Sequence, residues 1–230
     1  MDKNDKEVER LKAVHKYLLF DLKKEIQLIA KLASFITGTP IALITLLDRE
    51  EQIVLASEGI KLDKLPRDTS FCNHAIESDE VMVVEDASKD ERFQNFPSVT
   101  GELNIRFYAS ANLSSDDGFK IGTLCIYDVK PKKITDFEKE NLQILAIQVN
   151  HILELDKQFR LSVEKNKLLA KVALIHSHKL SGPLSSILEI TNLIKFDNYK
   201  FNPQYLSILE KSANQLNDEI KKITEIIIDN

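Results

Sequence analysis

His176 and His178 stand one residue apart in HSHKLSGPLSSIL, residues 176–188, a stretch that otherwise reads as one helix. Histidine is well populated in its neutral form at cellular pH, so an accessible imidazole is a nucleophile without deep burial. Pro183 follows His178 by five residues, removes one backbone hydrogen bond and bends a helix; Gly182 weakens the same turn, and the bend exposes the turn before it. Spacing alone leaves two readings open, a reactive histidine and a kinked core helix. The other groups with covalent potential are Cys72 and Cys125. They form no C-x-x-C pair and no metal-ligand spacing, and a reducing compartment keeps them as thiols, so neither a zinc site nor a disulfide is expected. None of the six glycines forms a phosphate-cradling loop, and no cofactor is expected.

The surrounding chain is that of a folded, water-exposed protein. Its 230 residues carry a net charge of −5, which excludes a general nucleic-acid binder, because neutralising phosphates needs a basic surface. No apolar run approaches the roughly 18 to 20 residues that span a bilayer, and MDKNDKEVERLKAV is too charged for a signal peptide. The expectation is a cytoplasmic protein with neither membrane nor nucleic-acid partner.

Composition divides the chain near residue 135. Before it lie five β-rich runs, 41–48, 52–57, 81–86, 107–114 and 120–128, separated by turn chemistry such as DREE, SSDDG and VKPKK; they predict a sheet of about five or six strands. Ahead of them Leu22, Ile26, Ile29, Leu32, Ala33 and Ile36 recur at helical spacing up to Gly38, a suitable C-cap. After residue 135 the pattern is helical. Thr135 with Glu138 is a capping box, and Leu142, Leu145, Val149, Ile152, Phe159 and Val163 form a seam that a two-stranded coiled coil would bury. Asp156 and Asn166 on this seam read equally as register-setting polar residues or as loosely packed breaks. Asn202 and Pro203 suit the start of a last helix, whose stripe is Leu206, Leu209, Ala213, Leu216, Ile220, Ile223 and Ile227. Residues 170–228 thus predict a helical hairpin with 196–204 as its turn. One hairpin has too little core to stand alone, which implies a homodimer with a four-helix bundle.

The phrases GTPIALITLLDREEQ, LPRDTSFCNHAI, VVEDASKDERFQNFPSVTGELNIRFYASANL and IGTLCIYD, in this order and spacing, resemble a GAF domain, a small-molecule-sensing fold of bacterial signalling proteins. That resemblance implies a ligand cavity between the sheet and residues of about 65 to 108. Phe71, Cys72, His74, Arg106 and Tyr108 are its candidate ligand-binding residues, with Phe93 and Phe96 read rather as anchors of a loop. For Arg106, anion binding and pairing with Asp86 or Asp90 both remain open. The ligand is an unidentified small molecule. Some GAF proteins reduce free methionine sulfoxide with a set of cysteines; two cysteines in ordinary packing contexts do not make that set.

SHKLSGPL, residues 177–184, resembles the phosphoacceptor box of histidine-kinase dimerisation and phosphotransfer (HisKA-like) domains. The resemblance selects His178, not His176, as a catalytic phosphoacceptor that passes a phosphoryl group to a response-regulator receiver domain. Lys179, Ser181 and Gly182 depart from the family pattern at the acidic, arginine and Asn/Thr positions. No ATP-binding segment is present, so no autokinase activity is expected from this chain alone; either a separate kinase catalytic domain supplies the phosphate, or the chain is a fragment of a longer sensor histidine kinase. The expected class is α+β: residues 1–18 an N-terminal helix or extension, 19–155 a GAF-type antiparallel sheet flanked by helices, 156–169 a coiled-coil signalling helix, and 170–230 a hairpin completing a dimeric four-helix bundle. Two functions follow, two-component phosphotransfer under sensory control, or a non-catalytic dimerising and partner-docking module with a degenerate histidine box.

Overall fold

The computed structural model describes residues 3–18, 23–175, 179–196, 200 and 202–228. They divide into two compact units, residues 1–159 and 160–230.

In the first unit, helices α1 (Lys3–His15) and α2 (Lys23–Thr37) lead into strands β1 (Ile41–Leu47), β2 (Glu51–Glu58) and β3 (Lys64–Pro66). The short helix α3 (Phe71–Ala75), strand β4 (Met82–Val84), one-turn helix α4 (Pro97–Thr100) and strands β5 (Phe107–Ser114) and β6 (Lys120–Asp128) follow, before helix α5 (Asp136–Ile175). The strands form one antiparallel sheet in the order β3-β2-β1-β6-β5-β4. Both faces are covered. Ala42, Ile44 and Leu46 of β1 point with Phe107, Ala109, Leu124 and Ile126 toward α1, α2 and α5, whereas Leu43 and Leu47 point with Tyr108, Cys125 and Tyr127 toward α3 and the loops around it. Coverage on both sides is why β1 reads as an uninterrupted apolar run and not as an alternation.

Local chemistry sets the boundaries. Gly38 closes α2 with φ of 59°, a left-handed value that costs glycine nothing. The capping box forms as its spacing demands: Thr135 N donates to Glu138 Oε2 at 2.7 Å and Glu138 N to Thr135 Oγ1 at 3.2 Å. Gly122 lies so close to β1 that a Cβ there would sit 1.9 Å from the Thr45 carbonyl oxygen.

Two expectations are corrected. Leu142, Leu145, Ala146, Val149 and Leu153 of α5 are buried in the core over the sheet, so this part of the seam packs on the chain's own strands and not on a partner helix. Leu32, assigned to the inner face of α2, is 43% exposed, because Ile26, Ala30 and Ala33 already fill the space under that helix. The sixth strand, β3, is a three-residue edge strand ending in Pro66 that no apolar run announces. Charged α1 also joins the layer: Ala13, Val14 and Tyr17 are buried in the same core. Near the end of the unit Lys157 is nearly buried, pairs with Asp116 at 2.8 Å and Glu154 at 2.7 Å, and donates to Tyr17 Oη at 3.4 Å.

In the second unit, α5 runs unbroken to Ile175, a π-turn occupies Lys179–Leu180, and helices α6 (Ser181–Phe196) and α7 (Pro203–Ile228) pack together. Residues 170–175 therefore belong to α5 and not to a separate hairpin arm. Pro183 sits in the first turn of α6, where its missing N–H is not needed by the helix. Gln204 N donates to Asn202 Oδ1 at 2.9 Å, the expected cap. Pro183, Ile190 and Ser212 are buried, but Leu184, Leu188, Leu206, Ile208 and Ile220 are exposed in the single chain. Among the described residues, no helix is long and apolar enough to cross a membrane.

Glu7 of α1 accepts from Arg10 Nε and Nη2, each at 2.8 Å, and from Arg67 Nη1 at 2.6 Å. The Arg10 hydrogen bond, opposed by burial and reinforced by Arg67, lowers its carboxyl from 4.5 to about 2. The folded state thus favours the carboxylate, a contribution present above pH 4.5 and lost as pH falls toward 2. Glu7→Gln should lose about 1–2 kcal/mol at neutral pH, a figure reduced for the partial exposure of this pair. Urea unfolding at neutral pH and near pH 3 should show a smaller acid loss in the variant. Equal acid losses in both proteins would overturn this reading.

Candidate ligand cavity and buried thiol pair

The face of the sheet opposite the long helices is roofed by residues 60–71 and 97–105, which enclose a cavity of about 250 Å³. Its floor is Ile41 and Leu43 of β1, Gln52 of β2 and Tyr127 of β6; Ile60, Leu62, Leu65 and Pro66 form one wall, and Pro97, Ser98, Leu103 and Ile105 the other. Thr69, Ser70 and Phe71 close it at the start of α3. No lining residue is charged. Ser98 Oγ is buried without a hydrogen-bond partner, an unused polar group on an otherwise apolar wall.

Phe71 sets the shape of this region. Its ring lies 4.6 Å from that of Phe93 and 4.8 Å from that of Tyr108, stacked on the latter, with Phe96 at 5.7 Å and Tyr127 at 6.1 Å. Such offset and edge contacts add to the burial of large rings and fix their positions.

Behind Phe71 lies a polar layer that the apolar face must satisfy internally. Ser70 caps α3, accepting from Cys72 N at 3.1 Å, and donates to Gln52 Oε1. That bond turns the amide nitrogen of Gln52 toward Thr45 Oγ1 at 3.1 Å and Cys72 Sγ at 3.1 Å. Tyr108 Oη also donates to Cys72 Sγ, at 3.3 Å, and the sulfurs of Cys72 and Cys125 are 3.7 Å apart. Both thiols are free and fully buried. Burial raises the Cys72 thiol, but hydrogen bonds from Cys125, Thr123, Tyr108 and Tyr127 together outweigh it and hold the group below the ordinary thiol range. Burial, then the neighbouring Cys72, pushes Cys125 well up. Burial and the two thiols likewise push up Tyr108 and Tyr127.

The structure distributes the sequence candidates unevenly. Phe71 lines the cavity, and Cys72 and Tyr108 lie fully buried behind it. His74 is half-buried outside the lining, its ring edge-on to Phe93 at 5.1 Å. Arg106 is turned away: Nη1 donates to the carbonyls of Val99 and Ile105, both at 3.0 Å, and Nη2 to Asn104 Oδ1. Of the two alternatives open for Arg106, pairing with Asp86 or Asp90 is not made, since those carboxylates hold Lys89 and Arg92. Phe93 and Phe96 anchor the loop before α4, as expected. Gln52 and Ser98 carry no sequence signal of a site, whereas Ser70 is signalled by a cap residue followed by apolar Phe71 at the start of α3. His178 lies outside the described residues. Among the described residues no cluster of His, Cys, Asp and Glu could hold a metal ion.

A family model described as GAF domain matches residues 21–153. A cyclic di-GMP phosphodiesterase of Pseudomonas aeruginosa is 46% identical over 94 residues, which are 41% of this chain and 16% of that protein. The chain thus matches only a small part of that relative's length. The GAF domain of a phosphoenolpyruvate-protein phosphotransferase from Coxiella burnetii superposes with a TM-score of 0.51 at 14% identity, covering 71% of this chain and 99% of that one. A free methionine-R-sulfoxide reductase from Neisseria meningitidis, in complex with its substrate, gives 0.50 at 19% identity, over 69% and 94%. A domain of a two-component sensor histidine kinase protein from Sinorhizobium meliloti 1021 gives 0.50 at 15% identity, over 64% and 99%. At such identities these likenesses show the fold alone.

Phe71→Ala should destabilise the protein by about 3–5 kcal/mol, because the ring is the centre of the aromatic cluster and its space cannot collapse. Urea unfolding measures this, and a loss under ~1 kcal/mol would mean that the cluster does not depend on Phe71.

Proposed function

The chain belongs to the GAF domain family through residues 21–153, and from that premise we propose that its first unit is the small-molecule input of a signalling protein whose output passes through the helices after residue 136. The observation that carries this reading is the cavity of about 250 Å³ with an uncharged lining. A cavity of roughly 150 Å³ holds a benzene molecule, so this one suits an uncharged ligand of one or two rings. Gln52, Ser70 and Ser98 offer it a few polar contacts. An anionic nucleotide would find no cation there, since Arg67 is held by Glu7 and Arg106 by backbone carbonyls.

Ligand bound between the sheet and its roof acts on α5 through the opposite face of the same strands. Packed helices shift between discrete arrangements, which gives a route from the cavity to a helical output. The output we propose is phosphotransfer at His178 in a homodimer, with the exposed leucines of α6 and α7 buried against a second copy in a four-helix bundle. The phosphate would come from a kinase catalytic domain and pass to a response-regulator receiver domain. A second reading, a non-catalytic docking hairpin, draws support from Lys179, whose ammonium faces Glu219 of α7 at 3.8 Å, a pairing that serves packing within the hairpin.

Two measurements test these readings. Native mass spectrometry of the protein taken from its own cells should show a small uncharged molecule that Leu62→Trp, filling the cavity, removes; an added mass that survives Leu62→Trp places the ligand elsewhere. Incubation with phosphoramidate should add one acid-labile phosphoryl group to a chain that light scattering reports as a dimer, and His178→Ala should lose the label. A label kept by His178→Ala, or a dimer that takes no label, would leave the docking reading in its place, and a monomer would overturn the four-helix bundle.

A further inference from the structure

Cys72 Sγ is surrounded by hydrogen-bond donors to a degree that a neutral thiol, a weak acceptor, does not require. The Gln52 amide reaches it at 3.1 Å, the Tyr108 hydroxyl at 3.3 Å, and the Tyr127 hydroxyl lies at 3.8 Å. Gln52 cannot turn its oxygen there without losing the Ser70 hydroxyl, which donates to that oxygen. Cys125, on the central strand β6, places its sulfur 3.7 Å away across the gap between α3 and the sheet. Gln52 and Tyr127 also line the cavity, so Cys72 lies one side chain beyond a space that small molecules can enter.

We propose that Cys72 and Cys125 form a reactive dithiol site that a hydroperoxide small enough to enter the cavity converts to an intramolecular disulfide. The Cys72 sulfur attacks one peroxide oxygen: an S–O bond forms, the O–O bond breaks, and the leaving oxygen departs as an alcohol or water with the proton released by the thiol. Sulfur is oxidised to the sulfenic acid and the peroxide is reduced. The Cys125 sulfur then attacks Cys72; the S–S bond forms, the S–O bond breaks, and the hydroxide leaves as water with the Cys125 proton. Tyr108 and Tyr127, which burial keeps protonated, flank the leaving oxygen as donors.

Closure draws the sulfurs from 3.7 Å to about 2 Å. Because Phe71 precedes Cys72 and lines the cavity, oxidation reshapes the ligand site, and by reciprocity a bound ligand alters the rate or extent of oxidation.

The test uses the full reduced chain exposed to hydrogen peroxide, then unfolded in N-ethylmaleimide and weighed intact. The expected product is a single chain lighter by two hydrogen atoms, carrying no maleimide, and regaining two maleimides after dithiothreitol. Cys125→Ser should stop at a dimedone-reactive sulfenic acid, and Cys72→Ser should remain unoxidised. Tyr108→Phe, which keeps the ring and its packing, should slow closure roughly tenfold by removing one donor from Cys72. Two maleimides on the peroxide-treated wild type, disulfides joining two chains, or closure as fast in the urea-unfolded chain would each overturn the site. An unchanged rate in Tyr108→Phe would remove the role given to that hydroxyl.

Discussion

A sheet covered on both faces leaves the side chains of its central strands no route to water, and most of this domain follows from that constraint. On the helix side β1, β5 and β6 can be wholly apolar, and they are. On the other side Thr45, Gln52, Thr123, Cys125 and Tyr127 are buried together, so their polar groups must be answered from within. Gln52 is the hub, joining β1, α3 and, through Ser70, the roof of the cavity. The polar floor and the apolar walls are thus one construction, and the orientation of a single amide fixes where a thiol finds its donors.

The N-terminal helix belongs to the same construction. Arg10 donates to the Leu47 carbonyl at 2.6 Å, while Glu7 holds Arg67 in the segment that walls the cavity. Arg67 in turn donates to Asn73 on α3 at 2.8 Å. Helix α1 therefore steadies one rim of the cavity from outside it, although it precedes the residues that the family model matches.

How much of this was legible depended on whether a feature is local. Strands β1, β2, β5 and β6 announce themselves as β-rich runs bounded by turn residues, and the caps at Thr135, Asn202 and Gly38 are short-range chemistry that holds in any surroundings. The seam Leu142, Leu145 and Val149 was assigned to the wrong surface because a helix on a sheet and a helix on a helix want the same three-four spacing. Arg106 found carbonyls within seven residues instead of a distant carboxylate. Gln52 and Ser98 carry no signal of their own. They matter only because residues 60–71 and 97–105 fold over them, and nothing in the local pattern says where a loop will land.

The ion cluster at Lys157 bears on how such a domain can be heard at all. Lys157 and Glu154 of α5 meet Tyr17, just after α1, and Asp116, in the turn between β5 and β6, within one partly dry knot. Parting Lys157 from its two carboxylates strands an ammonium that has little water to turn to. The helix is therefore pinned where it is about to leave the sheet. At its start Glu138 pairs with Lys132 at 2.8 Å, and between the two ion pairs it rests on Leu142, Ala146 and Val149. The first unit therefore ends on one of its most firmly tied points, where the first helical segment, the β5–β6 turn and α5 meet at a single ammonium group.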